Sequence, residues 1–336
     1  MRQIRLNEPG DFQLTEIEDA ERKPNELYLR VRKIGICGTD LHAFKGRQPF
    51  FTYPRVLGHE LSAEVIESPN DDFQKGDIVS VLPYDSCGDC IACRRGKENC
   101  CQSLQVLGVH RDGCMQDYVS LPAKFLVKAN GLNDDHLALI EPLAIAAHAV
   151  RRAKLETDDT ILVIGAGPIG IGVVQFAKAA GCKVIVMDLN EGRLNFIKEK
   201  FGVYATVIAG DTAKDEIAEL TNNDFPTTVF DATGSPKSMN SAVNYLAHSG
   251  TLVFVGLFIG EFSIDDIEFH KRESSILSTR NATRADFEFV IESLLSGAVS
   301  ADAMITHRVS FDEMIANFED WTNPEFGCIK AVVSLV

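Results

Sequence analysis

The sequence predicts an α/β protein made of two parts: a mostly-β domain and a doubly wound parallel sheet. Three observations predict it. Before about residue 133 the chain reads as short alternating strands broken by glycine and proline, without long helical patterns. From about residue 140, short apolar runs alternate with helical patterns, as in an open parallel sheet covered on both faces. Residues 286–336 then return to mixed elements.

The elements follow in order. Residues 27–36 (LYLRVRKIGI), 61–66 and 77–82 alternate like strands with one face buried. The parallel-sheet part opens with 161–165 (ILVIG), continues as a helix over 170–180, a buried strand over 183–187 (KVIVM) and a helix over 193–200. Further strands are predicted at 205–208, 228–231 and 252–255. The tail predicts an amphipathic helix over 286–296, a shorter one over 311–318 and a closing strand over 329–335. A length of 336 residues suits about two domains.

Composition narrows the function. The hydrophobic fraction of 45% and charged fraction of 24% exclude a disordered or collagenous chain. A net charge of −15 repels a phosphate backbone at long range, so neither nucleic acid nor an anionic membrane is an expected partner. The first residues, MRQIRLNEPG, contain no apolar secretory core, and a cytoplasmic location is expected.

Nine cysteines are present, and Cys87, Cys90, Cys93 and Cys101 form a C-x2-C-x2-C-x7-C array. The odd total argues against a disulfide framework. Thiolates at this spacing converge on one tetrahedral ion, and Gly88 and Gly96 supply turns. A four-cysteine site has no open position, so the zinc in this loop, residues 85–102, is read as structural. An iron–sulfur cluster or a group of free thiols are the alternatives. Because Cys100 adjoins Cys101, spacing leaves the fourth ligand open.

Gly165-Ala166-Gly167-Pro168-Ile169-Gly170 fits G-x-G-x-x-G between a predicted strand and a predicted helix. Gly165 permits the tight turn, Gly167 lets backbone approach a pyrophosphate, and Gly170 lets helix and strand pack closely. Phosphates then sit at the helix N-terminus. Asp188 ends the next strand, where a carboxylate accepts the adenosine ribose hydroxyls and repels the extra phosphate of NADP, pointing to NAD. An ordinary strand-end turn residue is the alternative for Asp188. Arg193 either flanks the adenine or accepts a 2′-phosphate. Asp231-Ala232-Thr233-Gly234 ends a later strand and is expected at the ligand crevice.

A second metal site is suggested by Cys37 in GICGTDLH, His59 and Glu60 in LGHE, and Glu141 in EPL. Cysteine, histidine and carboxylate are a normal zinc ligand set, and an open fourth position makes such a site catalytic. Spacing alone leaves Cys37 as a core thiol and the glutamates as surface groups. Hydride transfer needs a group that stabilises an alkoxide, and none of the six tyrosines has lysine four residues on, so zinc fits better than a tyrosine–lysine pair. Thr39 is placed to pass the alcohol proton and His42 to carry it toward water. The alternatives are a turn or cap residue for Thr39 and a structural histidine for His42.

Taken together, Gly35-Ile36-Cys37-Gly38-Thr39-Asp40-Leu41-His42, Gly58-His59-Glu60, the four-cysteine loop, Glu141-Pro142 and the glycine fingerprint resemble the zinc-dependent medium-chain alcohol dehydrogenases. The resemblance covers essentially the whole chain. It implies a GroES-like catalytic domain from residues 1–145 and 286–336, with a Rossmann domain at 146–285 between them. It implies catalytic zinc on Cys37, His59 and a third ligand, which in polyol and threonine dehydrogenases is a glutamate matching Glu141. Glu60 is implied as a direct or alternating ligand, and Cys101 as the fourth ligand of the structural zinc. Nicotinamide contacts are implied around Val255, Gly256, Leu277 and Thr279, and assembly as homo-dimers or homo-tetramers. Cys114 departs from the family, standing where relatives usually carry glycine.

Within the family, YPRVLGHE at 53–60, VLGVH at 106–110, STRNAT at 278–283 and ITH at 305–307 resemble bacterial sugar-acid dehydrogenases of the L-galactonate and L-gulonate type. That resemblance implies oxidation of a secondary hydroxyl of an aldonate by NAD. A carboxylated polyol needs a cationic anchor, for which Arg47, His110, Arg111 and above all Arg280 are candidates. A neutral polyol dehydrogenase and an L-threonine 3-dehydrogenase are the enzymatic alternatives. A non-enzymatic nucleotide sensor would be free to lose the ligands, yet Cys37, Thr39, His42, His59 and Glu141 all remain.

Overall fold

The computed structural model describes residues 1–49 and 51–336. The chain divides into two compact units, one of residues 1–142, 282–295 and 301–336, the other of residues 143–281 and 296–300.

The first unit is built on a seven-stranded sheet. Its order is Ile305–Ser310, Lys330–Ser334, Glu26–Gly35, Glu60–Glu67, Ile78–Val81 and Leu126–Lys128, with Tyr118–Pro122 also paired to Glu26–Gly35. The predicted strands at 27–36, 61–66 and 77–82 thus lie side by side. Alternation in Glu26–Gly35 buries Leu27, Leu29, Val31 and Ile34 in the core. The closing strand Lys330–Ser334 runs antiparallel to Glu26–Gly35, with Val332 opposite Gly35 and Val333 opposite Ile34. Both chain ends are therefore needed to complete one sheet. Phe318, on the return helix Met314–Trp321, lies edge-on to Phe12 at 4.8 Å and against Phe44 at 5.1 Å. Truncating so buried a ring costs about 3–5 kcal/mol.

The N-terminal hairpin, Arg2–Glu8 paired with Asp11–Glu16, was not read from sequence. Only Ile4 and Leu6 of its first strand are buried, so its apolar signal is weak. The helix expected over 311–318 starts later, at Met314; strand pairing runs through Ser310 opposite Ser334, and the Phe311 N–H donates to Ser334 O at 2.8 Å.

The second unit holds a six-stranded parallel sheet. Its order is Ala205–Ile208, Lys183–Asp188, Thr160–Ile164, Thr228–Asp231, Thr251–Phe254 and Ser275–Ser278. Thr160–Ile164 is buried over four of its five residues, as a central parallel strand must be. Chain order reverses on either side of it, which makes its carboxyl end the switch point where such sheets bind ligands. Register carries neighbouring strands to the same edge: Ile164 lies opposite Met187 and Asp231, and Asp231 opposite Phe254. The edge strand Ser275–Ser278 escaped the sequence reading because only two of its four residues are apolar.

Candidate metal and dinucleotide sites

The first cluster forms where strand Glu26–Gly35 turns into helix Gly38–Phe44. Cys37 caps this helix. Its Sγ accepts from the Thr39 N–H at 3.4 Å, while the Asp40 carboxylate accepts from the Cys37 N–H at 2.9 Å. This reciprocal cap holds the thiol at the sheet's end. Glu60 opens the adjacent strand Glu60–Glu67, opposite Gly35, and His59 immediately precedes it. A Cβ on Gly35 would come within 2.3 Å of Glu60 Oε2, so glycine alone leaves the carboxylate its space.

One donor atom each from Cys37, His59 and Glu60 lies within 4.8 Å of the others. An ion with ligand distances of about 2.0–2.3 Å bridges such a span. The donor set of thiolate, imidazole and carboxylate is one zinc accepts. Burial is nearly complete for His59 and Glu60, and Cys37 is half-buried. Glu141, in the first turn of helix Ile140–Ala153, lies outside the 4.8 Å group but is buried beside it. Its Oε1 accepts from the Tyr84 hydroxyl, and its Oε2 has no hydrogen-bond partner among the described residues. That orphaned oxygen fits a site made to receive a cation.

The electrostatics point the same way. Burial pushes the Glu141 carboxyl up to about 7, and the nearby Glu60 charge adds to the rise, against the opposing pull of His59. Burial works against a charged His59, but the Asp40 and Cys37 charges outweigh it and hold the imidazole well above its ordinary value. Anionic groups thus crowd a space that demands positive charge. Part of that charge is built in: Lys330, itself buried, reaches both Glu60 oxygens at 2.8 and 2.7 Å and donates to Ile36 O at 3.0 Å. Burial works to lower its ammonium, yet Glu60 and Cys37 carry it above the usual value.

Thr39 is half-buried in the first turn of the Gly38–Phe44 helix, and His42 is exposed one turn on. Sequence reasoning missed Asp40, Tyr84 and Lys330. Asp40 is fully buried, with Oδ1 3.8 Å from His59 Nδ1. Its signal was present: an acidic residue three positions after the capping Cys37. Lys330 was also visible as one charge in an apolar closing strand. Tyr84 carried no comparable mark.

The second cluster is local. Cys87, Cys90, Cys93 and Cys101 bring their sulfurs together, with Cys90 to Cys93 and Cys87 to Cys101 both 3.5 Å apart. Cys101 is buried in the group, while its neighbour Cys100 is exposed. Backbone N–H groups of Asp89 and Cys90 and the Cys101 thiol pull the Cys87 thiol down to about 6, whereas burial pushes Cys93 up to about 12. Four thiols held this close, with the thiolate favoured at Cys87 and, through backbone N–H groups, at Cys90, suit a tetrahedral metal.

The fingerprint loop has the shape a dinucleotide requires. Gly165 has φ +102°, a conformation glycine adopts without strain, and its N–H donates to Met187 O at 2.8 Å. A Cβ on Gly170 would meet Gly165 O at 1.8 Å, whereas one on Gly167 would meet nothing within 4 Å. Gly170 thus packs strand to helix, and Gly167 opens a cradle. Helix Pro168–Ala179 follows, with no side-chain cap on its N-terminus and with Pro168 and Ile169 in its first turn. Asp188 accepts from Ala166 N–H at 2.6 Å and Asn190 N–H at 2.8 Å, which aims its carboxylate beside the loop. Arg193 donates its backbone N–H to Asn190 Oδ1 at 3.0 Å, and its Nε is buried without a partner among the described residues.

At the same sheet edge, Thr233 donates its N–H and hydroxyl to the buried Asp231 Oδ1 at 2.9 and 2.7 Å. Val255 and Gly256 both donate to Asp231 O at 2.9 Å, and Thr279 donates to Phe254 O at 3.0 Å. Leu277 lies on the edge strand. Among the expected anchors, Arg111 is committed elsewhere: its guanidinium pairs with Asp85 at 3.1 Å and covers the Phe125 ring at 5.2 Å. His110 Nδ1 accepts from the Val106 N–H at 3.0 Å. Arg47 and Arg280 are exposed.

Comparison with known proteins identifies the family. Residues 23–131 match the family model of the alcohol dehydrogenase GroES-like domain, and residues 168–296 that of a zinc-binding dehydrogenase. L-Galactonate-5-dehydrogenase of Escherichia coli K12 is 42% identical over 315 residues, 92% of each chain. The starvation-sensing protein RspB of the same organism is 32% identical over 342 residues, 99% of each. The crystal structure of RspB from E. coli CFT073, solved as a complex with NADH, superposes with a TM-score of 0.92 at 31% identity, covering 100% of this chain and 99% of that one. With its GroES-like and Rossmann-type parts, its two metal-ligand clusters and its glycine-rich loop, the chain belongs to the zinc-dependent alcohol dehydrogenase family.

Proposed function

We propose that the protein oxidises a secondary hydroxyl of a sugar acid to a ketone, passing the hydride to NAD. The observation that carries the chemistry is the buried convergence of Cys37, His59 and Glu60 beside the orphaned Glu141 Oε2. Zinc bound there supplies a Lewis acid for the substrate hydroxyl, and bound NAD supplies the hydride acceptor. Cys37 and His59 hold the metal, with Glu141 or Glu60 as third ligand. Thr39 takes the hydroxyl proton and exposed His42 delivers it to solvent. The fingerprint loop from Gly165 to Gly170 receives the pyrophosphate and Asp188 the adenosine ribose, with Arg193 alongside. Thr233, Val255, Gly256, Leu277 and Thr279 flank the nicotinamide. Cys87, Cys90, Cys93 and Cys101 hold a structural zinc.

The sugar-acid class is supported by the 42% identity to L-galactonate-5-dehydrogenase. Arg280 is the proposed carboxylate anchor, given its exposure and the commitment of Arg111 to Asp85. The proposal extends to domains at 1–145 with 286–336 and at 146–285 and to a homo-dimer or homo-tetramer, both supported by family resemblance, and to a cytoplasmic location.

The test is formation of reduced nicotinamide by the zinc-loaded protein. L-galactonate, L-gulonate, L-idonate and D-gluconate are compared with sorbitol, galactitol and L-threonine, each with NAD and with NADP. Turnover of one aldonate with NAD is the expected result. Turnover restricted to neutral polyols or to threonine overturns the sugar-acid assignment and leaves the metal and dinucleotide reading intact.

A further inference from the structure

Tyr84 is a buried phenol at the base of the four-cysteine loop, and the chemistry proposed above gives it no task. Strand Tyr84–Asp85 pairs with Gln105–Val106, so this two-stranded ribbon brackets the loop that carries Cys87 to Cys101. The Tyr84 ring meets Phe287 edge-on at 6.4 Å, and Phe287 is fully buried on the return helix Arg284–Leu295. Asp85, the next residue, is fixed by Arg111 at 3.1 Å and Lys124 at 2.6 Å. Backbone pairing, ring packing and a neighbouring ion-pair network thus hold the phenol in one place. From there its hydroxyl donates to Glu141 Oε1.

The consequence falls on the other carboxylate oxygen. Glu141 has two oxygens, and the phenol occupies one while the second stays buried without a hydrogen bond among the described residues. A carboxylate free to rotate would present either oxygen, or both, to the cluster at Cys37 and His59. We infer that Tyr84 is a positioning residue: it fixes the Glu141 carboxylate so that Oε2 alone is offered to the metal, and it couples that carboxylate to the ribbon beneath the four-cysteine loop. This inference rests on the reading that Glu141 serves the Cys37–His59 metal. Partners that orient a ligand in this way are typically worth about 10–100-fold in metal affinity.

Tyr84→Phe keeps the ring against Phe287 and removes only the hydroxyl. Metal affinity of the Cys37–His59 site is read by competition with a chelator, and ligand geometry by the visible spectrum of the protein with cobalt in that site. Tyr84→Phe is expected to weaken the site about 10–100-fold and to shift the cobalt bands, while the four-cysteine site keeps its metal. The same substitution in a Glu141→Gln background is expected to add little, because its effect passes through that carboxylate. Unchanged affinity and spectrum in Tyr84→Phe, with Glu141→Gln still weakening the site, overturn the role of Tyr84. If Glu141→Gln itself leaves affinity and spectrum unchanged, the underlying reading of Glu141 fails instead. Tyr84→Met fills the space with no hydrogen-bond donor and is expected to weaken the site as Tyr84→Phe does; parent affinity in that variant also overturns the proposal.

Discussion

The two metal-ligand clusters solve one chemical problem in opposite ways. The four-cysteine group draws all its donors from a single loop, and two of its four members, Cys87 and Cys90, are not buried. The Cys37–His59–Glu60 group draws on separate strands and closes with Lys330 from the far end of the chain. The first needs only its own turns. The second exists only once the sheet is complete. A uniform thiolate shell leaves no vacancy, whereas a mixed shell of thiol, imidazole and carboxylates tolerates exchange of a ligand for substrate. The dispersed cluster is accordingly the one expected to do chemistry.

The largest effect that breaks the comparison is loss of a donor from the dispersed cluster. Cys37→Ala is expected to lower kcat/KM by about a hundred- to a thousandfold, comparable to removal of other transition-state electrostatic groups. Metal analysis should show the four-cysteine site still filled. Loss of both metals together would mean that the clusters are not independent.

Lys330 comes next. Replacing it with methionine leaves Glu60 charged, buried and unpaired beside Cys37. Breaking a buried pair in this way costs about 3–5 kcal/mol, to be read from denaturant unfolding of the metal-free protein. Lys330→Met combined with Glu60→Gln should recover most of the loss, because no uncompensated charge then remains.

Cys90→Ser addresses the local cluster. It is expected to empty the four-cysteine site and expose residues 87–101 to protease, while Cys37 and His59 keep their metal. The stability cost should be smaller than for Lys330→Met, since Cys90 is only half-buried and its strand ribbon does not depend on it.

This asymmetry also decided what could be read from the sequence. Four cysteines in one short loop announce themselves by spacing. The glycine fingerprint does so too, because each of its residues answers to a nearby backbone constraint, such as the 1.8 Å clash a Cβ on Gly170 would make. Strands at 205–208 and 228–231 stand at the predicted residues; the second is buried throughout, whereas the edge strand 205–208 buries only Val207. Cys37 and His59 were recognisable as motifs, but their convergence was not, since it depends on pairing Gly35 with Glu60. Lys330 and Tyr84 act across the sheet and the ribbon, at sequence separations where no local pattern reports contact.

The smallest effect sharpens the claim that the dispersed cluster depends on the return segment. Asp135 accepts from Lys33 at 2.5 Å and from Arg308 at 3.0 Å, tying strand Glu26–Gly35 to strand Ile305–Ser310. Burial works to raise its carboxyl, but the hydrogen bonds and charges of Lys33 and Arg308 outweigh it and hold the value below the ordinary 3.8. A depressed carboxyl stabilises the fold above its unfolded value, and that stability is lost as pH falls through the folded one. Asp135→Asn should therefore cost about 1 kcal/mol at neutral pH, the scale of a partly screened ion pair. The gap from the parent protein should hold down to about pH 4 and close below it as Asp135 protonates. Thermal unfolding across that range measures it, and the four-cysteine loop, which takes no residue from the return segment, should bind metal equally well in both proteins at neutral pH. A loop weakened by Asp135→Asn would show that its independence stops short of the return segment.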